Sequence, residues 1–178
     1  METPQEPYTL YHNYWSSCSL MVRMTLELGK QPPNIAEVPV IEKEIDIQHG
    51  GQLVESFMCE VNRLGTVCLT LPSHPYGKLI IMKVPALTHP SLLGAPITES
   101  LDITLLIHQR FYPHLCPKEH QAEIEKLLGQ LHQIIFVTLS FRRWPERREQ
   151  TINGAKSKLK DPNLSQRHRE ALEYKLSQ

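Results

Sequence analysis

Apolar and polar positions change their period several times along the first hundred residues. Apolar and polar residues alternate over residues 9–12. Apolar residues then recur at helical spacing, with Ser16 to Ser19 as N-terminal capping side chains and Gly29 as the residue at which the helix ends. The alternation predicts a strand, and the capped run predicts the first helix. The residues expected to line the buried face of that helix are Leu20, Met21, Met24 and Leu28.

Later elements follow in an order that is typical of an α/β domain. Four segments have the alternation or residue content of strands, at residues 42–47, 67–71, 79–82 and 84–87. A short helix is predicted over residues 50–64, with an apolar face formed by Leu53, Phe57 and Val61. Another helix is predicted from Ser100 to Phe111.

The remaining residues have only helical patterns. Between Lys118 and Phe141 apolar residues recur at intervals of three and four, which predicts one buried face, formed by Ile124, Leu127, Leu128, Leu131, Ile134, Ile135 and Leu139. Pro145 interrupts the pattern, and the polar segment after it has few apolar anchors, so we expect it to be helical but loosely attached. We therefore predict two domains, an α/β domain over residues 1–112 and an all-α domain over residues 113–178.

Composition and charge exclude several classes of function. The 178 residues include 19 Lys and Arg and 19 Asp and Glu, so net charge gives no reason to expect nucleic acid as a partner. We expect no membrane span and a cytoplasmic location, because no run approaches about 18 apolar residues and the first residues resemble no targeting peptide. The cysteines lack metal-ligand or dithiol spacing, so we predict no metal and free thiols at Cys18, Cys59, Cys68 and Cys116.

The run from Tyr14 to Ser19 contains the first candidate chemistry. It places two hydroxyls and a thiol, those of Ser16, Ser17 and Cys18, where a strand turns into a helix. A helix N-terminus has unpaired N–H groups and about half a positive charge, so it stabilises an anion. A thiol with a pKa of about 8.5 is more acidic there by one or more units. Taken alone, however, the same run is an ordinary helix cap beside a small buried thiol.

Three motifs, in order along the chain, resemble those of the glutathione transferase superfamily. They are residues 16–19 with 22–23, residues 50–52 ahead of 62–67, and residues 84–87 with 97–101. The chain is most similar to the zeta class, the maleylacetoacetate-isomerase-like enzymes, in a form typical of fungal secondary-metabolite biosynthesis. This resemblance implies a thioredoxin-like N-terminal domain, a shortened helical C-terminal domain and a homodimer. Arg23, inside the first motif, is predicted to be a structural ion-pair partner.

The resemblance also assigns roles to the matching residues. Ser16 would donate a hydrogen bond to the sulfur of glutathione, with Ser17 supporting it and Cys18 facing the second substrate. The backbone N–H and C=O of Val84 would bind the cysteinyl amide of glutathione, and the peptide bond before Pro85 would be cis. Catalysis is thus expected at Ser16, Ser17 and Cys18.

Further residues are implied to bind the two ends of the tripeptide. Glu99 would bind the γ-glutamyl ammonium group, and Ser100 with the following helix N-terminus its carboxylate. Lys83 would bind the glycyl carboxylate. Cys68 departs from the family's pattern, because it stands where zeta proteins have a proline, and Pro85 is therefore preferred as the cis-proline.

The function implied by the resemblance is addition of the glutathione thiolate to a bulky, hydrophobic, conjugated electrophile such as an enone or polyene. Addition turns a double bond into a single bond that can rotate, and elimination then gives cis/trans isomerisation. Slow elimination would instead give a stable glutathione conjugate. Two alternatives stay open: a non-catalytic module of this fold that mediates assembly, and thiol exchange that depends on Cys18.

Overall fold

The computed structural model describes four stretches of the chain, residues 6–31, 35–62, 84–133 and 146–177. Contacts group the chain into two units, the first combining residues 1–45 with 84–135 and the second combining residues 46–83 with 136–178. The domains predicted from the sequence, 1–112 and 113–178, divide the chain differently, and their boundary stays a prediction. Within the described stretches no helix is long and apolar enough to cross a membrane.

A mixed three-stranded sheet organises the described part of the first unit. Strand β1 (Tyr8–His12) pairs in parallel with β2 (Val40–Glu44) and antiparallel with β3 (Ala86–Thr88). Alternate side chains of β1 are fully buried, as a strand with one face on a core requires: Tyr8, Leu10 and His12.

The predicted strands compare closely with these three. The strand expected over residues 9–12 is confirmed, while those expected over 42–47 and 84–87 are displaced by about two residues along the chain. The strands predicted at 67–71 and 79–82 lie outside the described residues.

Helix α1 (Ser17–Gly29) begins and ends where the sequence predicts, but it buries another face. The buried residues are Ser19, Val22, Leu26 and Gly29. The predicted apolar face was wrong, because three of its members are about half exposed: Leu20 at 48%, Met24 at 52% and Leu28 at 52%. Side-chain size explains the difference. The side chains of the buried face are smaller than those of the predicted face, so the helix backbone can approach the core closely.

Tyr112 fills the place that this close approach leaves. It follows α2 (Ser100–Arg110), whose predicted position is confirmed. The ring is fully buried, and its hydroxyl oxygen accepts a hydrogen bond from the backbone N–H of Val38 at 3.2 Å. A Cβ atom added to Gly29 would overlap ring atom Cδ2 of Tyr112. The core of this unit consists of Tyr8, Leu10, Val22, Leu26, Val38, Leu87, Ile103, Ile107 and Tyr112.

Helix α3 (Gln121–Gln133) occupies the first part of the long helix predicted from Lys118. Its apolar face was predicted to be buried, and this is wrong for Leu127, which is 56% exposed, and for Leu131, which is 37% exposed, whereas Ile124 and Leu128 are partly buried. Residues 134–141 of the predicted helix lie outside the described residues. The described apolar face of α3 is therefore partly accessible.

The second unit begins with two tight turns instead of the helix predicted over residues 50–64. A 3-10 turn (Gly51–Leu53) is followed by an extended Val54 and then by a π-helical turn (Phe57–Val61). Gly50 precedes them with a φ of 81°, a left-handed conformation that glycine adopts without strain. The apolar face was nevertheless predicted correctly, since Leu53, Phe57 and Val61 are all buried.

Two C-terminal helices pack on these turns, α4 (Glu146–Lys158) and α5 (Gln166–Ser177). Their helical state was predicted, but the expected loose attachment was wrong, because Leu172 is completely buried. His168 adds a buried hydrogen bond of 2.8 Å between its Nε2 and the carbonyl oxygen of Leu53. The core of this unit consists of Leu53, Met58, Cys59, Ala155 and Leu172.

Lys175 of α5 is an unusual member of the second unit, because it is only 4% exposed. Its Nζ atom is buried and has no hydrogen-bond partner among the described residues. Burial disfavours the charged amine and lowers the pKa of Lys175 to about 8.

Replacing Gly29 by Ala should destabilise the protein, because the new Cβ would overlap the Tyr112 ring in a packed core. Overpacking of this kind costs about 1–3 kcal/mol of unfolding free energy. Gly129→Ala is the matched control, since no described residue lies within 4 Å of its added Cβ and alanine favours the helix by up to about 1 kcal/mol. Urea unfolding should show opposite shifts for the two variants; a Gly29→Ala midpoint at or above wild type would contradict the packing described.

Lys175→Met should stabilise the protein at pH 7. The folded-state pKa of about 8 lies below the ordinary 10.5, so the unfolded state binds more protons between these values, and wild-type stability rises with pH across this window. Below pH 8 the buried charge costs wild type up to about 3 kcal/mol. Urea unfolding should show a gap between variant and wild type that is large at pH 7 and small at pH 10. The exposed Lys156→Met serves as control, and a gap independent of pH would disprove the assignment.

Candidate active site at the start of the first helix

The candidate site begins at Ser16, which caps the N-terminus of α1 as predicted. Its backbone is extended, with φ −91° and ψ 117°, and its Oγ accepts a hydrogen bond from the backbone N–H of Ser19 at 3.3 Å. Its carbonyl oxygen accepts the N–H of Leu20 at 2.9 Å, the first bond of the helix. The hydroxyl therefore lies at the positive end of the helix dipole, where negative charge is favoured.

Asn13 holds the turn that carries Ser16. It is buried, its Oδ1 accepts the N–H of Trp15 at 3.0 Å, and its carbonyl oxygen accepts the N–H of Ser16 at 3.1 Å. Its Nδ2 donates to the carbonyl oxygen of Ile45 at 2.9 Å, and its backbone N–H donates to Ser19 Oγ at 3.2 Å. Through its side chain and backbone together, Asn13 thus joins the end of β1, the residue that follows β2 and the first turn of α1.

The Val84–Pro85 segment lies directly beside Ser16, although 68 residues separate Val84 from Ser16 in the chain. The hydroxyl of Ser16 donates a hydrogen bond to the carbonyl oxygen of Val84 at 3.3 Å. Both Val84 and Pro85 are buried, and the peptide bond between them is cis, as the resemblance implies. Among the sequence-predicted site residues, Ser16 and Val84 are the pair that this bond brings together.

Ser17 and Cys18 form the first turn of α1. Ser17 is exposed, whereas Cys18 is half-buried. None of Cys18, Cys59 and Cys116 is in a disulfide, as predicted, and Cys68 lies outside the described residues. In the part of the chain that the structure describes, no three His, Cys, Asp or Glu residues are grouped as metal ligands.

Glu99 and Ser100 lie at a second helix N-terminus of the same unit. Glu99 is the N-cap of α2 and is exposed, while Ser100 is the first helical residue and is buried. Lys83, the other predicted ligand of the tripeptide, lies outside the described residues. The tripeptide-binding roles of these three residues stay predictions.

A small charged cluster supports the other side of the Ser16 turn. Arg23 Nε donates to Glu42 Oε2 at 2.9 Å, which confirms that Arg23 is an ion-pair partner. His12 Nε2 lies 3.1 Å from the same carboxylate oxygen, and the Arg23 guanidinium stacks over the Tyr14 ring at 4.6 Å. Burial lowers the pKa of His12, although the Glu42 carboxylate opposes this effect.

Sequence reasoning missed Asn13 and His12 as parts of this site. Asn13 carried a usable signal, because an asparagine directly after a strand and ahead of a serine cap is typical of a side chain that bonds to the backbone two residues later. His12 carried none, since its partner Glu42 is thirty residues away in the chain.

The chain is similar in fold to solved structures of glutathione transferases. The chain matches human glutathione transferase theta-2, solved with glutathione and an unknown ligand, with a TM-score of 0.53, 16% identity, and coverage of 96% of this chain and 71% of that one. It matches a diazinon-metabolizing glutathione transferase of the silkworm Bombyx mori with a TM-score of 0.50, 17% identity, and coverage of 84% and 64%.

This is the fold of the glutathione transferases. The predicted fold class is thereby confirmed, an α/β thioredoxin-like part with a helical C-terminal part. The chain spans less than two thirds of the silkworm protein's length. No family model and no curated protein matches the sequence.

Asn13→Ala should destabilise the protein by about 2 kcal/mol, because the part-buried hydrogen bonds to the N–H of Trp15 and the C=O of Ile45 would both be lost. Asn13→Asp keeps the acceptor for Trp15 but loses the donor to Ile45, so it should also be destabilised. Exposed Asn163→Ala is the control and should stay within about 0.5 kcal/mol of wild type. Denaturant midpoints measure all three; a neutral Asn13→Ala would contradict the role given to this amide.

Proposed function

We propose that this chain is a glutathione-dependent transferase of zeta-like type that isomerises or conjugates a bulky conjugated electrophile. One observation carries the proposal: the Ser16 hydroxyl, at the N-terminus of α1, is hydrogen-bonded to the carbonyl oxygen that precedes Pro85. A thiol at this place would meet a hydroxyl donor and a helix N-terminus, both of which favour the thiolate over the neutral thiol.

The residues present suit a tripeptide thiol. Val84 offers backbone polar groups just before β3, and the N-terminus of α2 is a place where a carboxylate is stabilised. In this proposal Ser100 binds the γ-glutamyl carboxylate, Glu99 binds the ammonium group beside it, and Lys83 binds the glycyl carboxylate. Ser17 supports the hydroxyl of Ser16. Glutathione, when bound, supplies the sulfur nucleophile that adds to the electrophile.

The exposed aromatic residues that precede Ser16 suit a bulky hydrophobic second substrate. Trp15 is 80% and Tyr14 56% exposed, and Cys18 follows on the first turn of α1. We assign this surface to an enone or polyene, with cis/trans isomerisation or conjugation as the outcome, in a secondary-metabolite pathway of the fungal kind. We further propose a cytoplasmic homodimer, which the accessible leucines of α3 support.

Two other functions have an observation in their favour. Cys18 lies in the first turn of a helix, where a thiol becomes more acidic, and this favours thiol exchange. The accessible apolar face of α3 favours a non-catalytic assembly module. Retention on immobilised glutathione separates the assembly module from both catalytic functions, because a module without a thiol site would not be retained.

Ser16→Ala should lower turnover with glutathione and an enone by about ten- to a thousandfold, the loss expected when one donor to an anion is removed. The thiol of bound glutathione, followed by its ultraviolet absorbance during a pH titration, should return to the pKa it has in buffer. Cys18→Ala is the comparison variant. If Cys18→Ala loses activity and Ser16→Ala does not, the result would contradict the proposed reaction and favour thiol exchange. If the wild-type protein neither binds glutathione nor lowers the pKa of its thiol, the result would contradict both functions.

A further inference from the structure

The buried face of α5 ends in an amine. Lys175 lies on the same helical face as His168 and Leu172, because the three residues are spaced by four and then three positions. Leu172 is completely buried in the core of the second unit, and Lys175 is only 4% exposed. The side chain of Lys175 therefore occupies a place in the fold that an apolar residue would ordinarily fill.

Other side chains hold the two carboxylates of the turn segment on which α5 packs. Glu55 Oε1 accepts a hydrogen bond from Ser165 Oγ at 2.6 Å. Glu60 Oε1 lies 3.7 Å from Arg167 Nη2. The Nζ atom of Lys175 has no hydrogen-bond partner among the described residues. An unpaired ammonium ion in a buried place is costly, so this site favours the neutral amine.

A neutral amine is a nucleophile, and lysines that carry out covalent chemistry in proteins are commonly activated by burial. Burial lowers the pKa of Lys175 to about 8 from the ordinary 10.5. The neutral fraction at pH 7 is therefore about three hundred times that of an exposed lysine. We propose that Lys175 is a covalent site for small apolar aldehydes, which the second unit captures as an imine on Nζ. This site does not depend on the proposed glutathione chemistry.

The capture needs no reagent other than the aldehyde. The nitrogen lone pair of Lys175 forms a bond to the carbonyl carbon, and one amine proton passes to the carbonyl oxygen. The resulting hydroxyl group then leaves as water with the other amine proton, and a carbon–nitrogen double bond forms. Nothing is oxidised or reduced, and hydrolysis reverses the step.

The surroundings of the amine select this class of carbonyl compound. An imine can stay neutral, and so it suits the apolar core to which Leu172 belongs. A short alkyl chain on the imine would gain free energy by leaving water for that core. A carbamate formed from carbon dioxide would instead be a buried anion, which is as unfavourable there as the ammonium ion.

The position of Lys175 in α5 gives a small molecule a way to reach the amine. Lys175 lies in the last turn of the helix, which ends at Ser177. Terminal turns of helices fray and open locally at a lower free energy than the whole fold. We therefore expect capture to occur in the folded protein and to be restricted to small aldehydes.

The test labels the full chain at pH 7 with butanal and cyanoborohydride, which reduces an imine to a stable secondary amine. Peptide mass mapping at low conversion compares Lys175 with the exposed Lys156 of α4 and with the exposed Lys160. We expect Lys175 to be labelled at least tenfold faster, since its neutral fraction outweighs its lower basicity and its burial. Labelling of Lys175 that is equal to or slower than that of Lys156 would overturn the proposal.

A second aldehyde separates capture in the folded core from reaction in an unfolded form. Glyoxylate is of similar size but has a carboxylate, which would have to leave water to reach Nζ. It should label Lys156 readily and Lys175 more slowly than Lys156. The same ratio of Lys175 to Lys156 for both aldehydes would overturn the proposal, because the amine would then react without its apolar surroundings.

Variants assign the labelled position. Lys175→Met should remove the fast phase of butanal labelling, and Lys156→Met should keep it; a fast phase that persists in Lys175→Met would place the site elsewhere and overturn the assignment. All labelling is carried out without glutathione. Fast labelling of Lys175 in a protein that does not bind glutathione would contradict the proposed function alone, and slow labelling in a protein that lowers the pKa of the glutathione thiol would contradict the aldehyde site alone.

Discussion

The first unit depends on the buried side-chain amide of Asn13, which forms the hydrogen bonds that water would otherwise form with the irregular backbone between β1 and α1. A chain that leaves a strand and enters a helix within four residues has N–H and C=O groups that neither element can pair. Asn13 supplies partners for those groups from inside the protein. The position of the Ser16 hydroxyl is a consequence, because the cap can form only if the turn before it has one conformation.

The same constraint explains why the candidate chemistry lies in backbone and hydroxyl groups and uses few charged side chains. Ser16 and Val84 meet between a helix start and a strand start, where polar main-chain groups are concentrated. Charges stay at the periphery of this place, in the cluster of His12, Arg23 and Glu42.

The sequence was most informative where local rules and tertiary packing agree. The strand ending at His12, the cap at Ser16 and the helix from Ser100 were predictable, because alternation, capping chemistry and helical spacing act within a few residues. Sequence motifs also indicated Val84 and Pro85, whose contact with Ser16 no local rule contains. The roles implied for Glu99, Ser100 and Lys83 rest on resemblance alone.

The predictions of buried helix faces were wrong where side-chain size, and not hydrophobicity, decides which face packs on the core. The most apolar stripe of α1, which includes Leu20 and Met24, is half exposed, while a stripe containing serine and glycine faces the core. A large ring at Tyr112 needed small residues opposite it, and hydropathy does not record size. The attachment of α5 was underestimated for a related reason, since one buried leucine and one buried histidine contribute more than a count of apolar positions indicates.

The contact between Gly29 and Tyr112 has an evolutionary consequence. The Tyr112 ring occupies the space that a side chain at position 29 would need, and the Tyr112 hydroxyl also binds the backbone of Val38. A substitution at either position alone would therefore disturb this packing. Descendants of this sequence can enlarge position 29 only after, or together with, a smaller residue at position 112. Covariation between these two positions would then record the ancestry of the fold even after the surrounding sequence has diverged.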